Sequence, residues 1–371
     1  MCLKGTRVLL TRTAFHFAGN RFIHHPPSPE NDPVRTACAM LTALTIACCV
    51  DAPAHAQDAA SFYRGKTVRV TVGFSSGGGY DQYGRLLARH IGKHIPGNPA
   101  VVVQNMPGAA SLKSLQFLDT GAPTDGTMIV TFNPGLITGS LTSPLRTPLD
   151  FTKFAWIGNI AEDIRVCFTW GARGIRTWEA FLKRDKLAFG NTGVGTSAYI
   201  DDRILQVLFG VNLRMVQGYP GSADKKIAIE SGELDGDCGS WTSLPDDWLR
   251  DRKIDIHVRF SKNVAPGMPA GIAWAGDLLD DERKRQTLRL LLAGAEIGRP
   301  FLVSKAVPAD RVAALRAAFE ATMTDPEFVA DAEKQRLIVG PDTGAAVEKR
   351  IAEIYATPPD VVARAKEISG E

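Results

Sequence analysis

Twice in this chain a strand-like run ends in a cluster of glycines and passes straight into a segment of helical period. The first run, over 68–74, leads into Ser75-Ser76-Gly77-Gly78-Gly79-Tyr80-Asp81, and the apolar residues Leu86, Leu87 and Ile91 follow at helical spacing. The second is Phe189-Gly190-Asn191-Thr192-Gly193-Val194-Gly195-Thr196-Ser197, with a helix predicted over 197–208. Strands are further predicted at 101–105, 127–132, 155–160, 166–170, 213–217, 255–260 and 299–304, with helices at 109–118 and 222–231. The end is helical, over 281–292, 309–323, 326–335, 345–356 and 358–368. Such alternation specifies mainly parallel sheets with crossover helices on their faces, here two α/β domains of about 100–150 residues each.

The N-terminal segment is set apart from this body. Arg35 precedes an apolar stretch over 37–50 and a small-x-small site, Ala54-His55-Ala56, the pattern of a secretory signal cleaved after Ala56. Residues 1–33 show no periodicity, and Val34 is a candidate start; Cys48 and Cys49 lack a good lipobox. The 43 Lys+Arg and 40 Asp+Glu of the 371 residues leave a net charge of +3, which excludes a general nucleic-acid footprint. Beyond residue 57 only Cys167 and Cys238 remain, either as one disulfide or as two buried thiols. His90 and His94 are read as surface residues with no acidic partner nearby, and neither a metal site nor a cofactor is expected.

The glycine loops carry the chemistry. Glycine lets the backbone turn sharply and approach a ligand, and the following helix aims free N–H groups and the positive end of its dipole at that spot. Asp81 is placed to cap the first helix and to pair with Arg85. Two such loops facing one another across a cleft suit an anion with carboxylates. A dinucleotide site needs G-x-G-x-x-G, which the first loop breaks, and the nucleotide P-loop signature GK[ST] is missing. Gly73-Phe74-Ser75-Ser76-Gly77 does match the serine-hydrolase pattern G-x-S-x-G, without a histidine in a late loop to serve it.

Several motifs in order resemble one family. Tyr63-Arg64-Gly65-Lys66, Gly77-Gly78-Gly79-Tyr80-Asp81, Asn105-Met106-Pro107-Gly108-Ala109, Pro123-Thr124-Asp125-Gly126-Thr127, the second glycine loop, Tyr219-Pro220-Gly221-Ser222 and Ser231-Gly232-Glu233-Leu234-Asp235 are similar to motifs of the substrate-binding proteins of tripartite tricarboxylate transporters, the TctC or Bug family. The resemblance implies a type II-like, two-lobed periplasmic binding protein (a Venus flytrap), each lobe a mainly parallel sheet flanked by helices. It places lobe 1 at 57–157 and 291–371, and lobe 2 at 158–290, behind the N-terminal extension and signal at 1–56. It implies a monomeric periplasmic protein, not an enzyme, that captures a small di- or tricarboxylate or aromatic carboxylate and delivers it to membrane permease subunits.

Carried over by position, the ligand-binding candidates are Phe74, Ser75, Ser76, Gly77, Gly78, Gly79, Tyr80 and Asp81 in the first loop. In the second they are Asn191, Thr192, Gly193, Gly195, Thr196, Ser197 and Tyr199. Tyr219, Pro220, Gly221, Asn133, Ser240 and Trp241 complete the set, with passages near 156–161 and 258–272 as the hinge. Two alternatives stay open: a ligand sensor docking on a membrane kinase, and a serine hydrolase using Ser75.

Overall fold

A computed structural model describes residues 59–142 and 149–370. The expected extension and signal at 1–56, with its cleavage site, lie outside the described residues. Among these residues no helix is long and apolar enough to cross a membrane.

Among the described residues eleven strands form two sheets. The first holds β1 (Thr67–Val72), β2 (Ala100–Asn105), β3 (Met128–Thr131), β4 (Phe154–Asn159), β10 (Pro300–Ser304) and β11 (Asp342–Thr343), in the order β11-β4-β10-β3-β1-β2. The second holds β5 (Arg165–Trp170), β6 (Leu187–Asn191), β7 (Leu213–Gln217), β8 (Gly236–Ser240) and β9 (Ile254–Arg259), in the order β7-β6-β8-β5-β9.

The strands point mainly one way, but the pairing is mixed. β10 runs antiparallel to both β3 and β4, and β5 antiparallel to both β8 and β9. These are the strands laid down when the chain changes sheet. Each is the first strand after the chain arrives from the other sheet, and each lies reversed between two strands that run the same way. Alternating strand and helix signals carry no information about that reversal.

Helix Gly79–Ile91 shows how the sequence fixes the layers. Tyr83, Leu86, Leu87 and Ile91 are buried on the first sheet, each aliphatic side chain contributing roughly 1.5–3 kcal/mol. At Gly84 a Cβ would lie 2.7 Å from the Val72 side chain, so only glycine lets the helix sit this close to β1. In the second lobe, helix Ser197–Phe209 is capped by Thr196, whose hydroxyl accepts from the Tyr199 N–H. Cys167 and Cys238 sit opposite each other in the β5–β8 register and form a buried disulfide.

Two local expectations are corrected. The predicted helix over 109–118 begins instead with Ala109, Ala110 and Ser111 at φ of 45°, 57° and 75°, and the α-helix runs Leu112–Thr120. Three successive non-glycine residues in the left-handed region mark strained backbone. The second crossing between sheets is not at 258–272. The chain stays with the second sheet there, because Arg259 bridges to Trp274 and takes the Ala273 carbonyl at 3.0 Å. The segment beside the first crossing lies at 295–299. Ile160 N–H donates to the Arg299 carbonyl (3.1 Å), Arg299 N–H to Ala161 (3.0 Å) and Asp163 N–H to Ala295 (2.8 Å).

Candidate functional site

The first glycine loop leaves β1 and turns through Gly77 at φ 82° into helix Gly79–Ile91. That helix starts at Gly79, two residues before the expected cap. Asp81 folds back into the loop, accepting from Gly77 N–H (2.8 Å), Arg85 Nε (2.8 Å) and Asn105 Nδ2 (2.8 Å). The expected Asp81–Arg85 pair is therefore present, but the carboxylate is buried and fully engaged. Burial acts to raise its pKa; the hydrogen bonds from Arg85, Gly77 and Asn105 outweigh that and hold it below the usual carboxylate range.

Across the cleft the loop meets the 219–224 turn. Ser75 Oγ donates to Asp224 (2.7 Å), Ser75 N–H to the Pro220 carbonyl (3.3 Å) and Gly79 N–H to Ser222 Oγ (3.4 Å). A Cβ at Gly221 would strike Ser75 Oγ, so the approach depends on that glycine. Ser76 and Gly77 are exposed at the mouth.

The second loop is held from the other lobe by Asn133, just past β3. Asn133 Oδ1 accepts from Gly135 N–H (2.8 Å), Ser197 N–H (3.1 Å) and Ser197 Oγ (3.0 Å). Asn191 lies beneath the loop, accepting from Gly193 N–H (3.2 Å) and donating to Asp202 (3.1 Å). Gly195, at φ 79°, passes 3.4 Å from the position a Cβ would take at Gly139. The N–H groups at this helix tip are thus largely taken by the chain's own side chains.

Between the loops lies a cleft of about 830 Å³, and beside it, sharing Phe74 and Thr192, an inner pocket of about 50 Å³. Of the sequence-derived candidates, Phe74, Gly78, Gly79, Tyr80, Asn133, Thr192 and Ser240 line the inner pocket. Gly193, Tyr219 and Pro220 line the outer cleft, where Tyr219 Oη donates to Glu233 (2.6 Å) and burial with Glu233 pushes the phenol up to about 12. Ser75, Asp81, Asn191, Thr196, Ser197 and Gly221 serve the loops themselves.

Two candidates are corrected. Tyr199 reaches the C-terminal helix, its hydroxyl donating to the Ser369 carbonyl at 2.9 Å. Trp241 points to another face and donates to the Pro266 carbonyl (3.2 Å). Helical position alone did not reveal which way either ring faces.

The inner pocket also holds four charged residues that the motifs did not indicate: Asp163, Arg165, Lys225 and Arg299. Asp163 is shared by Arg165 (3.1 Å) and Arg299 (2.8 Å), Arg165 also binds Asp201, and Lys225 binds Asp237. Burial acts to raise the Asp163 pKa, and the two arginines outweigh it, keeping the carboxyl ionised. Burial pushes Asp201 up to about 6 despite Arg165. The Arg299 guanidinium stacks on Tyr80 (4.7 Å), and Tyr80 stacks on Phe74 (4.9 Å). A signal was available for Arg165 alone: one charge opening the otherwise uncharged run Arg165-Val166-Cys167-Phe168-Thr169-Trp170.

The histidines are placed elsewhere. His90 and His94 meet acids after all: Asp331 (2.9 Å) and Asp325 (2.8 Å), brought by helix Pro326–Lys334 and the residue that caps it. His90, Asp325 and Glu327 gather ligand atoms within 4.8 Å, but Lys93 already pairs with both carboxylates. His257 stacks on Phe181 (4.3 Å) and bonds Thr169. The hydroxyl of Ser75 is directed to Asp224 and to none of these imidazoles.

No protein-family model matches the chain. A UPF0065 protein of Bordetella pertussis is 24% identical over 180 residues, covering 47% of this chain and 55% of that protein, so the chain spans about half the length of the curated relative it matches. The fold is similar to that of the periplasmic binding protein BugD, with TM-score 0.67, 20% identity, and coverage of 83% of this chain and 99% of that one. It is also similar to MatC from Rhodopseudomonas palustris with bound malate (TM-score 0.66, 18% identity, 82% and 99% covered). A third similar structure is an R. palustris protein with adipate (TM-score 0.64, 16% identity, 82% and 96% covered). The chain has the two-lobed fold of periplasmic binding proteins, and the resemblance read from its motifs holds for the fold.

Proposed function

We propose that this chain is an extracytoplasmic solute-binding protein of the Bug/TctC type that captures a small organic acid anion between its lobes. The observation that carries this reading is the cleft itself. Its inner end gathers Arg165 and Arg299 beneath the first glycine loop, and residues of both lobes line it. Buried guanidinium groups and the adjoining helix tip favour a carboxylate. That structures of similar fold hold malate and adipate supports the same ligand class.

In this reading binding is the whole event, and no bond is made or broken. Lobe 1 is built on the first sheet and lobe 2 on the second. The lobes close on the solute, with loops from both excluding water. The protein works as a monomer in the periplasm after removal of the segment ending at Ala56, and hands its ligand to the membrane subunits of a tripartite tricarboxylate-type transporter.

Thermal-shift measurement of the exported chain against a panel of mono-, di- and tricarboxylates tests the reading. At a hundredfold excess over Kd, binding adds about 2.7 kcal/mol, a rise in Tm on the order of 5 °C. If no acid at millimolar concentration moves the Tm, the organic-acid reading fails.

A further inference from the structure

The cleft has two chambers of different chemistry that share Phe74 and Thr192 as wall residues. Among the described residues the outer chamber is walled by no charged side chain; Ala109, Leu112, Leu136 and Val194 set its character. The inner chamber, at about 50 Å³, takes a group of only a few heavy atoms.

Arg299 is 2% exposed. Its Nη2 donates to Asp163 (2.8 Å) and Ser240 (2.6 Å), and its Nη1 to the Gly298 carbonyl (3.2 Å). Its Nε–H is buried with no acceptor, and the hydroxyl of Tyr80 is likewise buried without a partner. The guanidinium lies over the Tyr80 ring, so the two groups stack at one wall of the chamber. Each unmet buried polar group costs about 1–3 kcal/mol until something pairs with it. An acceptor oxygen within reach of both would relieve both costs. Asp163, Asp201 and Asp237 already match Arg165, Arg299 and Lys225 one for one, so what the chamber offers a further carboxylate is these two unmet donors, with no surplus cation for a second.

We propose that the ligand is a monocarboxylate with an uncharged, largely apolar body, its carboxylate held by Arg299 Nε and the Tyr80 hydroxyl and its body lying in the outer chamber. The proposal rests on the solute-binding reading and narrows it. A second carboxylate would have to lose its water against a wall that offers no cation.

Isothermal titration with acids matched in length tests this: hexanoate against adipate, and benzoate against terephthalate. The expected result is that each monoacid binds at least tenfold tighter than its diacid. Equal or tighter binding of the diacids overturns the proposal while the organic-acid reading stands; no binding by any acid takes down both. In Tyr80→Phe, hexanoate affinity should fall about tenfold while the ligand-free Tm does not fall, because the lost hydroxyl had no partner. Unchanged hexanoate affinity in that variant also overturns the proposal.

Discussion

The loop at 74–81 and the loop at 191–202 each follow a strand, turn on glycines and place an acid inside the next helix, yet the two acids end in opposite states. Asp81 receives three hydrogen bonds, one from the Arg85 guanidinium, and is held ionised. Asp202 receives only the Asn191 amide, its other oxygen is buried without a partner, and burial raises its pKa well above the ordinary value. The helix tips differ in the same way. The second is closed by Asn133 and Thr196, whereas the first lies against the unmet donors of Tyr80 and Arg299. The shared sequence pattern specifies a helix N-terminus at the edge of a sheet. What that terminus faces is decided in part by side chains distant in sequence, Asn133 at the second tip and Arg299 at the first.

The sharpest way to break the contrast is Asn133→Ala, which strips an acceptor from three donors at the second loop. The expected loss is about 3 kcal/mol in urea unfolding. The matching change at the first loop, Asp81→Asn, removes a charge-assisted bond to a half-exposed arginine, and about 1–2 kcal/mol should be lost at neutral pH.

The two acids should also respond oppositely to pH. The Asp81 contribution is present above the unfolded pKa and disappears as pH falls through its lowered folded value. That of Asp202 is present below the unfolded pKa and disappears as pH rises through its raised folded value. Asp202→Asn, permanently neutral, should therefore gain stability over the parent as pH rises above the ordinary carboxylate range, and Asp81→Asn should lose it as pH rises from about 2 to that range, in paired melts from pH 2 to 8. Thr196→Ala removes the helix cap and should cost about 1 kcal/mol by the same unfolding assay. Ser75→Ala, at the partly exposed contact with Asp224, should cost less than about 0.5 kcal/mol; a larger loss in unfolding free energy would erase the distinction between the first loop and the more tightly bonded second one.

Much of the fold was legible because apolar spacing and turn chemistry agree locally. Helix Ala309–Met323 and strand β7 fall on their predicted residues. β8 was missed because Gly236-Asp237-Cys238-Gly239-Ser240 contains no β-branched residue. It is a strand because β5 and β6 pair with it from either side and Cys238 is bonded across to Cys167. The short helices Trp178–Leu182 and Asp246–Arg250 are too brief for periodicity to reveal. At the site the glycine loops were readable from local pattern. The buried pair Asp163 and Arg299 was not, because 136 residues separate them and only the folded chain makes them neighbours.

The paired segments at 160–163 and 295–299 have a consequence for how such a molecule would open. Two connections bonded backbone to backbone cannot flex separately, so they act as a single fulcrum, and swinging is favoured over sliding. Asp163 and Arg299 are mounted on that fulcrum and would hardly travel during the swing. This ion pair would stand at the root of the jaws whether parted or shut.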